Sequence, residues 1–110
     1  MNCQFCQQPT KNAPWENDYD ISGWYDCKNC NISYRTYCPN GKVELIRFNV
    51  LFRNRNYCID LDVTTNQTEI LLLPQEMDDT IIIVLILPYI VEGLTPQNIL
   101  SKLETYMTFS

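Results

Sequence analysis

This chain of 110 residues has no histidine, only three glycines, and eight basic residues against thirteen acidic ones. Without histidine it lacks the commonest general base and one of the commonest zinc ligands. Glycine is too scarce to build a loop that cradles phosphate. The bases are also scattered. Residues 1–40 carry four acids against three bases, and residues 41–110 nine against five, so neither part has a patch fit to neutralise a phosphate backbone. The net charge of −5 reads as a device for solubility. Long apolar runs are missing too. The longest, Ile81 to Leu87, stops at Pro88, far short of the roughly 18–20 residues of a membrane span. The polar opening Met-Asn-Cys-Gln-Phe-Cys has no basic start leading into an apolar stretch, so no secretory leader is expected. A reducing, cytoplasmic setting follows, in which thiolates hold metal rather than pair as disulfides.

What is present divides into two textures. Residues 1–40 hold five of the six cysteines and both tryptophans, with little periodicity. Residues 41–110 carry clear strand and helix patterns, and the turn signal Asn40-Gly41 marks the boundary. With 45% apolar residues the chain is expected to fold as one modest domain, for which a metal cross-link near one end matters. The cross-link is legible. Cys3-Gln4-Phe5-Cys6 and Cys27-Lys28-Asn29-Cys30 are two C-x-x-C pairs separated by twenty residues. Each can form a knuckle that aims two sulfurs at one point, and together they make a tetrahedral thiolate set suited to one structural zinc ion on Cys3, Cys6, Cys27 and Cys30. Four thiolates leave no open coordination position for a substrate. Cys38 and Cys58 are read as bystanders.

Over residues 1–40 this arrangement resembles the zinc-ribbon class. The resemblance implies two knuckles, a short hairpin-based ribbon and a structural metal without catalysis; it does not choose a partner. The commonest ribbon pattern has glycine just after the second cysteine of each knuckle. Gln7 and Asn31 stand there in this chain. Asparagine tolerates a left-handed backbone better than glutamine, which predicts a less regular first knuckle. A rubredoxin-like iron site, with Trp15, Trp24 and Tyr25 as its aromatic packing, is the alternative metal reading.

Beyond residue 41 the period is two. Ile46, Phe48, Val50 and Phe52 share one face of a strand near 43–52, and Tyr57, Ile59, Leu61 and Val63 one face of a strand near 57–63. A loop at Arg53–Asn56 sets Phe52 opposite Tyr57, Phe48 opposite Leu61 and Arg47 opposite Asp62. A slip by one residue would destroy both the apolar and the charge matches. A third strand near 68–73 ends at Pro74, and Asp78-Asp79 reads as a turn. The continuous β-branched run near 80–87 predicts a strand buried on both faces. Thr95 as N-cap and Pro96 as first helical residue open a helix near 96–107, with Ile99, Leu100, Leu103, Tyr106 and Met107 at helical spacing. The expected fold is α+β: an N-terminal zinc ribbon (1–40), then a four-stranded antiparallel sheet with a C-terminal helix (41–110). The helix covers one face of the sheet and the cysteine segment part of the other.

The closed thiolate site and the lack of converging acids argue against an enzyme. Asp60 and Asp62 share one strand face about 7 Å apart, and Arg47 opposite Asp62 is read as a surface ion pair rather than part of a catalytic carboxylate pair. The expected function is protein binding, as an adaptor, an inhibitor or an assembly subunit, anchored by Trp15, Trp24 and Tyr25. Two other readings stay open. One is nucleic-acid binding or transcription-associated work through Lys11, Lys28 and Arg35 interleaved with aromatics, opposed by Glu16, Asp18, Asp20 and Asp26. The other is an acidic surface that imitates nucleic acid. The asparagine-rich, glycine-poor composition suggests an AT-rich genome and a phage or mobile-element source, which would place the protein in host cytoplasm.

Overall fold

The computed structural model describes residues 2–12, 22–37, 42–74 and 80–107. Trp15, Cys38 and the Asp78-Asp79 turn lie outside these. The described residues form an antiparallel sheet in which every strand pairs with its sequence neighbour: β1 (Lys11–Asn12), β2 (Ser22–Cys27), β3 (Ile32–Tyr37), β4 (Lys42–Phe52), β5 (Arg55–Asp62), β6 (Gln67–Leu72) and β7 (Ile82–Leu87). Apart from the two-residue β1, that makes six strands rather than the four expected. The extra two come from the cysteine segment. β3 pairs along β4, with Ile32 opposite Phe48 and Tyr34 opposite Ile46, so the second knuckle's hairpin continues the sheet. The physical reason is that β4 has two edges of backbone N–H and C=O groups, and the β2–β3 hairpin satisfies the one that β5 leaves open. The alternation of Ile32, Tyr34 and Thr36 with Ser33 and Arg35 carries this signal over six residues, an ordinary strand length that the expectation of a separate ribbon passed over.

One apolar row runs across the sheet through paired residues: Cys27, Ile32, Phe48, Ile59, Ile70 and Leu85. Its central members, Ile32, Phe48, Ile59 and Ile70, are at most 2% exposed. At this burial each contributes about 1.5–3 kcal/mol of transfer free energy. On this face sits α1 (Ile99–Met107), which buries Ile99, Leu103 and Met107. Thr95 and Asn98 cap it reciprocally: the Asn98 amide donates to the Thr95 hydroxyl at 3.2 Å, and the Thr95 amide to the Asn98 side-chain oxygen at 2.8 Å. This capping box satisfies the Thr95 amide and adds a side-chain acceptor to the Asn98 amide, which also donates to the Thr95 carbonyl at 3.2 Å. The preceding segment is pinned by Thr68, whose buried hydroxyl donates to the Tyr89 carbonyl at 2.7 Å and accepts from the Val91 amide at 3.0 Å. α1 is the one helix among the described residues, and none is long and apolar enough to cross a membrane.

Three expectations need correction. First, both central hairpins are shifted by two residues. Phe48 faces Ile59, not Leu61, and Arg47 faces Asp60, not Asp62; in the next hairpin Leu61 faces Thr68, not Ile70. A two-residue slip keeps every side chain on its face, so alternation cannot detect it. The turn decides. Arg53 and Asn54 both have positive φ, 52° and 63°, giving a two-residue loop of the primed type whose twist matches the strands. The Arg53 guanidinium lies 4.8 Å from the Phe52 ring centroid. Asp62, released from Arg47, instead accepts hydrogen bonds from the Thr64 and Thr65 amides and the Thr64 hydroxyl in the following turn. Burial pushes its carboxyl up, but these bonds outweigh that and hold it below the usual range.

Second, β7 is an edge strand among the described residues, not a doubly buried one. Ile81, Ile82, Ile83 and Ile86 are about half exposed, at 54%, 51%, 55% and 48%. Third, the first knuckle lies on the same face as α1: the Phe5 ring sits 5.8 Å from that of Phe48, and Cys3 and Cys27 join the core that holds Ile99 and Leu103. The opposite face carries Trp24, Arg35, Arg47 and Asp60. There Arg47 donates two hydrogen bonds to the buried Asp60 carboxylate, at 2.8 and 2.9 Å.

Candidate metal centre

The site is assembled from two tight turns. In the first, the Gln7 amide donates to the Cys3 carbonyl and the Cys3 amide to the Gln8 carbonyl, both at 2.9 Å. An Asn2–Pro9 bridge closes the loop behind them. The second knuckle is the turn between β2 and β3. Its far end is held where the Asn49 amide donates to the Asn31 carbonyl at 3.0 Å and the Asn31 side chain to the Asn49 carbonyl at 2.8 Å.

Both knuckles need a left-handed residue immediately after their second cysteine, and both have one: Gln7 at φ 63° and Asn31 at φ 59°. The expected irregularity of the first knuckle is absent. Glutamine adopts the conformation and bears its steric cost, about 1–2 kcal/mol for an L-residue. Replacing Gln7 with glycine is therefore expected to stabilise the metal-loaded protein by about 1 kcal/mol, a rise of about 4–8 °C in thermal melting. A lower melting temperature would show that the Gln7 side chain contributes more than its backbone strain costs.

The sulfurs of Cys3, Cys6, Cys27 and Cys30 all lie within 4.8 Å of one another. Those of Cys6 and Cys27 are 3.5 Å apart. Four sulfurs about 2.3 Å from a central ion in a tetrahedron stand roughly 3.8 Å apart, so the donor set fits a metal ion. Cys3 and Cys27 are buried, Cys6 and Cys30 half-buried. The electrostatics point the same way. Cys30 is pushed up to about 12 and Cys27 is also raised, by burial first and then by the neighbouring cysteines. Cys6 is drawn down to about 6 by hydrogen bonds from the Asn29 side chain and the Gln8 backbone. Cys3 is lowered as well: burial raises it, but the Tyr34 hydroxyl and the Cys6 and Phe5 backbone outweigh that. Four sulfurs this close cannot all ionise without a cation between them.

The remaining sequence candidates are dispersed. Trp24 and Tyr25 are adjacent on β2 and project to opposite faces. Tyr25 packs against the core on the metal side. Trp24 lies on the far face, with the guanidinium carbons of Arg47 and Arg35 at 5.1 and 5.8 Å from its ring centroid. Cys58 is buried, away from the four-sulfur cluster, with its sulfur 3.6 Å from the Asn49 side-chain oxygen. An open pocket of about 360 Å³ beside the knuckles is lined by Gln8, Pro9, Lys11, Asp26 and Lys28 among others. Sequence reasoning missed Tyr34, whose hydroxyl lies 3.2 Å from the Cys3 sulfur. No local pattern marks it, because the two residues are 31 positions apart. Comparison with protein-family models, curated proteins and solved structures gives no match to this chain.

Proposed function

We propose that the chain is a non-catalytic protein-binding module whose sheet is stapled by one structural zinc ion. The observation that carries this reading is β7. It presents three half-exposed isoleucines, Ile82, Ile83 and Ile86, with Ile81 just before it, and no Asp, Glu, Lys or Arg occurs from Thr80 to Val91. An apolar strand at a sheet edge is a template for pairing with another chain, and soluble proteins ordinarily guard such an edge with charge. The four-thiolate set supports zinc in a closed, structural role. The asparagine-rich composition supports a phage or mobile-element source and work in host cytoplasm.

Nucleic-acid binding is the weaker reading, because the arginines beside Trp24 are already engaged: Arg47 is committed to Asp60, and Arg35 lies 3.4 Å from the Glu44 carboxylate. Lys11 and Lys28 line a pocket that also holds the acidic Asp26. The two guanidinium groups beside the Trp24 ring also compete with a base that would stack there.

The test is the double variant Ile83→Lys, Ile86→Lys. Both side chains are exposed, so folding should change by less than about 1 kcal/mol in total. Capture of the partner from native-host extract, strong with the parent, should be lost with the variant. Capture that persists unchanged removes β7 from the interface. Tight oligonucleotide binding that weakens steeply with salt would overturn the reading as a whole. Elemental analysis should find one equivalent of zinc; one equivalent of iron would select the rubredoxin-like alternative.

A further inference from the structure

We infer that Tyr34 is a positioning residue of the metal centre: its hydroxyl donates a hydrogen bond to the Cys3 sulfur and locks the first knuckle to the sheet. The inference rests on the reading of the four cysteines as a metal site.

The geometry assigns the direction of the bond. The Tyr34 oxygen lies 3.3 Å from the Gln4 amide and 3.2 Å from the Cys3 sulfur. The amide can only donate, so the oxygen accepts from it. That leaves the single hydroxyl hydrogen for the sulfur, which as a metal-bound thiolate has no hydrogen of its own. The result is a chain from N–H to O–H to S⁻, in which each bond polarises the next. Both side chains are sealed from water: Cys3 is 0% exposed and Tyr34 1%. No solvent competes for the bond, and none can replace it.

The placement gives the bond its consequence. Tyr34 lies in the middle of β3, paired with Tyr25 on one side and Ile46 on the other. It therefore belongs to the rigid sheet that carries Cys27 and Cys30. Cys3 and Cys6 belong to the preceding turn. The hydroxyl couples the two halves of the donor set, so that the first knuckle approaches the metal in one orientation. A hydrogen bond to a thiolate also withdraws electron density from the sulfur. That makes it a poorer nucleophile, as suits a structural site. Partners of this kind typically alter metal affinity by about 10–100-fold.

Tyr34→Phe keeps the ring and removes only the hydroxyl. It is compared with the parent and with Ile46→Val, which trims the neighbouring packing without touching the sulfur. Zinc affinity is read by competition with a chromophoric chelator, and the cobalt-loaded forms give the sulfur-to-metal charge-transfer band. Tyr34→Phe should bind zinc about tenfold more weakly, and its charge-transfer band should move to lower energy as the sulfur lone pair is released. Ile46→Val should lower the melting temperature and leave the band in place. If Tyr34→Phe matches the parent in both readouts, or Ile46→Val shifts the band equally, the inference fails while the metal site stands. A parent that binds no metal defeats both. Should Tyr34→Phe fail to fold, the cadmium-113 form of the parent decides: a slowly exchanging Tyr34 hydroxyl proton coupled to cadmium is expected, and its absence overturns the inference.

Discussion

Replacing Cys27 with serine is expected to take the protein from one metal equivalent per chain to none and to unfold its N-terminal part. Cys27 holds two positions at once. Its sulfur belongs to the four-sulfur cluster, and its side chain, 3% exposed, closes one end of the apolar row through Ile32 and Phe48. Serine is a poor zinc ligand and brings a hydroxyl into an apolar site. For isolated zinc modules the metal supplies about 10–16 kcal/mol of apparent binding energy, which is also folding energy. This chain has a sheet beyond the site, so part of the structure should survive. Residues 2–12 and 22–37 should lose their fixed signals while the β4–β6 hairpins retain theirs. Chelator-treated parent protein should show the same state, regained on adding metal. Cys58→Ser is the matched control. Cys58 is as buried, at 2% exposed, but lies outside the cluster. It should keep its metal and lose only about 1 kcal/mol. Elemental analysis and thermal melting decide the matter, and a Cys27→Ser protein that retains its metal would remove Cys27 from the donor set.

The second large effect lies on the opposite face. Arg47→Ala should destabilise the protein by about 2–3 kcal/mol. Removing one partner of a buried ion pair costs about 3–5 kcal/mol, because the other charge stays buried and uncompensated; the one-third exposure of Arg47 argues for the lower figure. Asp60 is the group left behind, 3% exposed and stripped of two hydrogen bonds. Trp24 loses a cationic neighbour in the same step. The measurement also tests the strand register. A double-mutant cycle between Arg47→Ala and Asp60→Asn should show coupling of about 1 kcal/mol or more, and one between Arg47→Ala and Asp62→Asn almost none. Coupling to Asp62 in place of Asp60 would restore the alternative pairing, two residues away.

That pairing shows where sequence reasoning reached its limit. Alternation correctly placed Phe48, Ile59, Leu61 and Ile70 on the buried face. It could not choose between registers two residues apart, since both keep the same residues inward. The choice fell to Arg53 and Asn54, whose left-handed backbones permit a two-residue loop. The run at Ile81–Leu87 failed for a different reason. A continuous apolar strand is ordinarily central, but whether a strand has a neighbour on each side is a property of the assembled sheet. Here β6 pairs with one side of β7, and no described strand pairs with the other.

The sequence by itself determined the four clustered cysteines, the inward face of each central strand and Thr95 as a cap ahead of the last helix, which begins at Ile99 rather than at the expected 96. Each depends on residues close together in the chain: a C-x-x-C turn, a period of two, a capping residue with its partner three positions on. Only the tertiary structure decided that β3 extends the sheet, that Arg47 meets Asp60, that β7 is left at an edge, and that Tyr34 reaches Cys3. Those contacts join residues far apart in sequence. They form because buried donors, acceptors and charges must find partners wherever the folded chain brings them together.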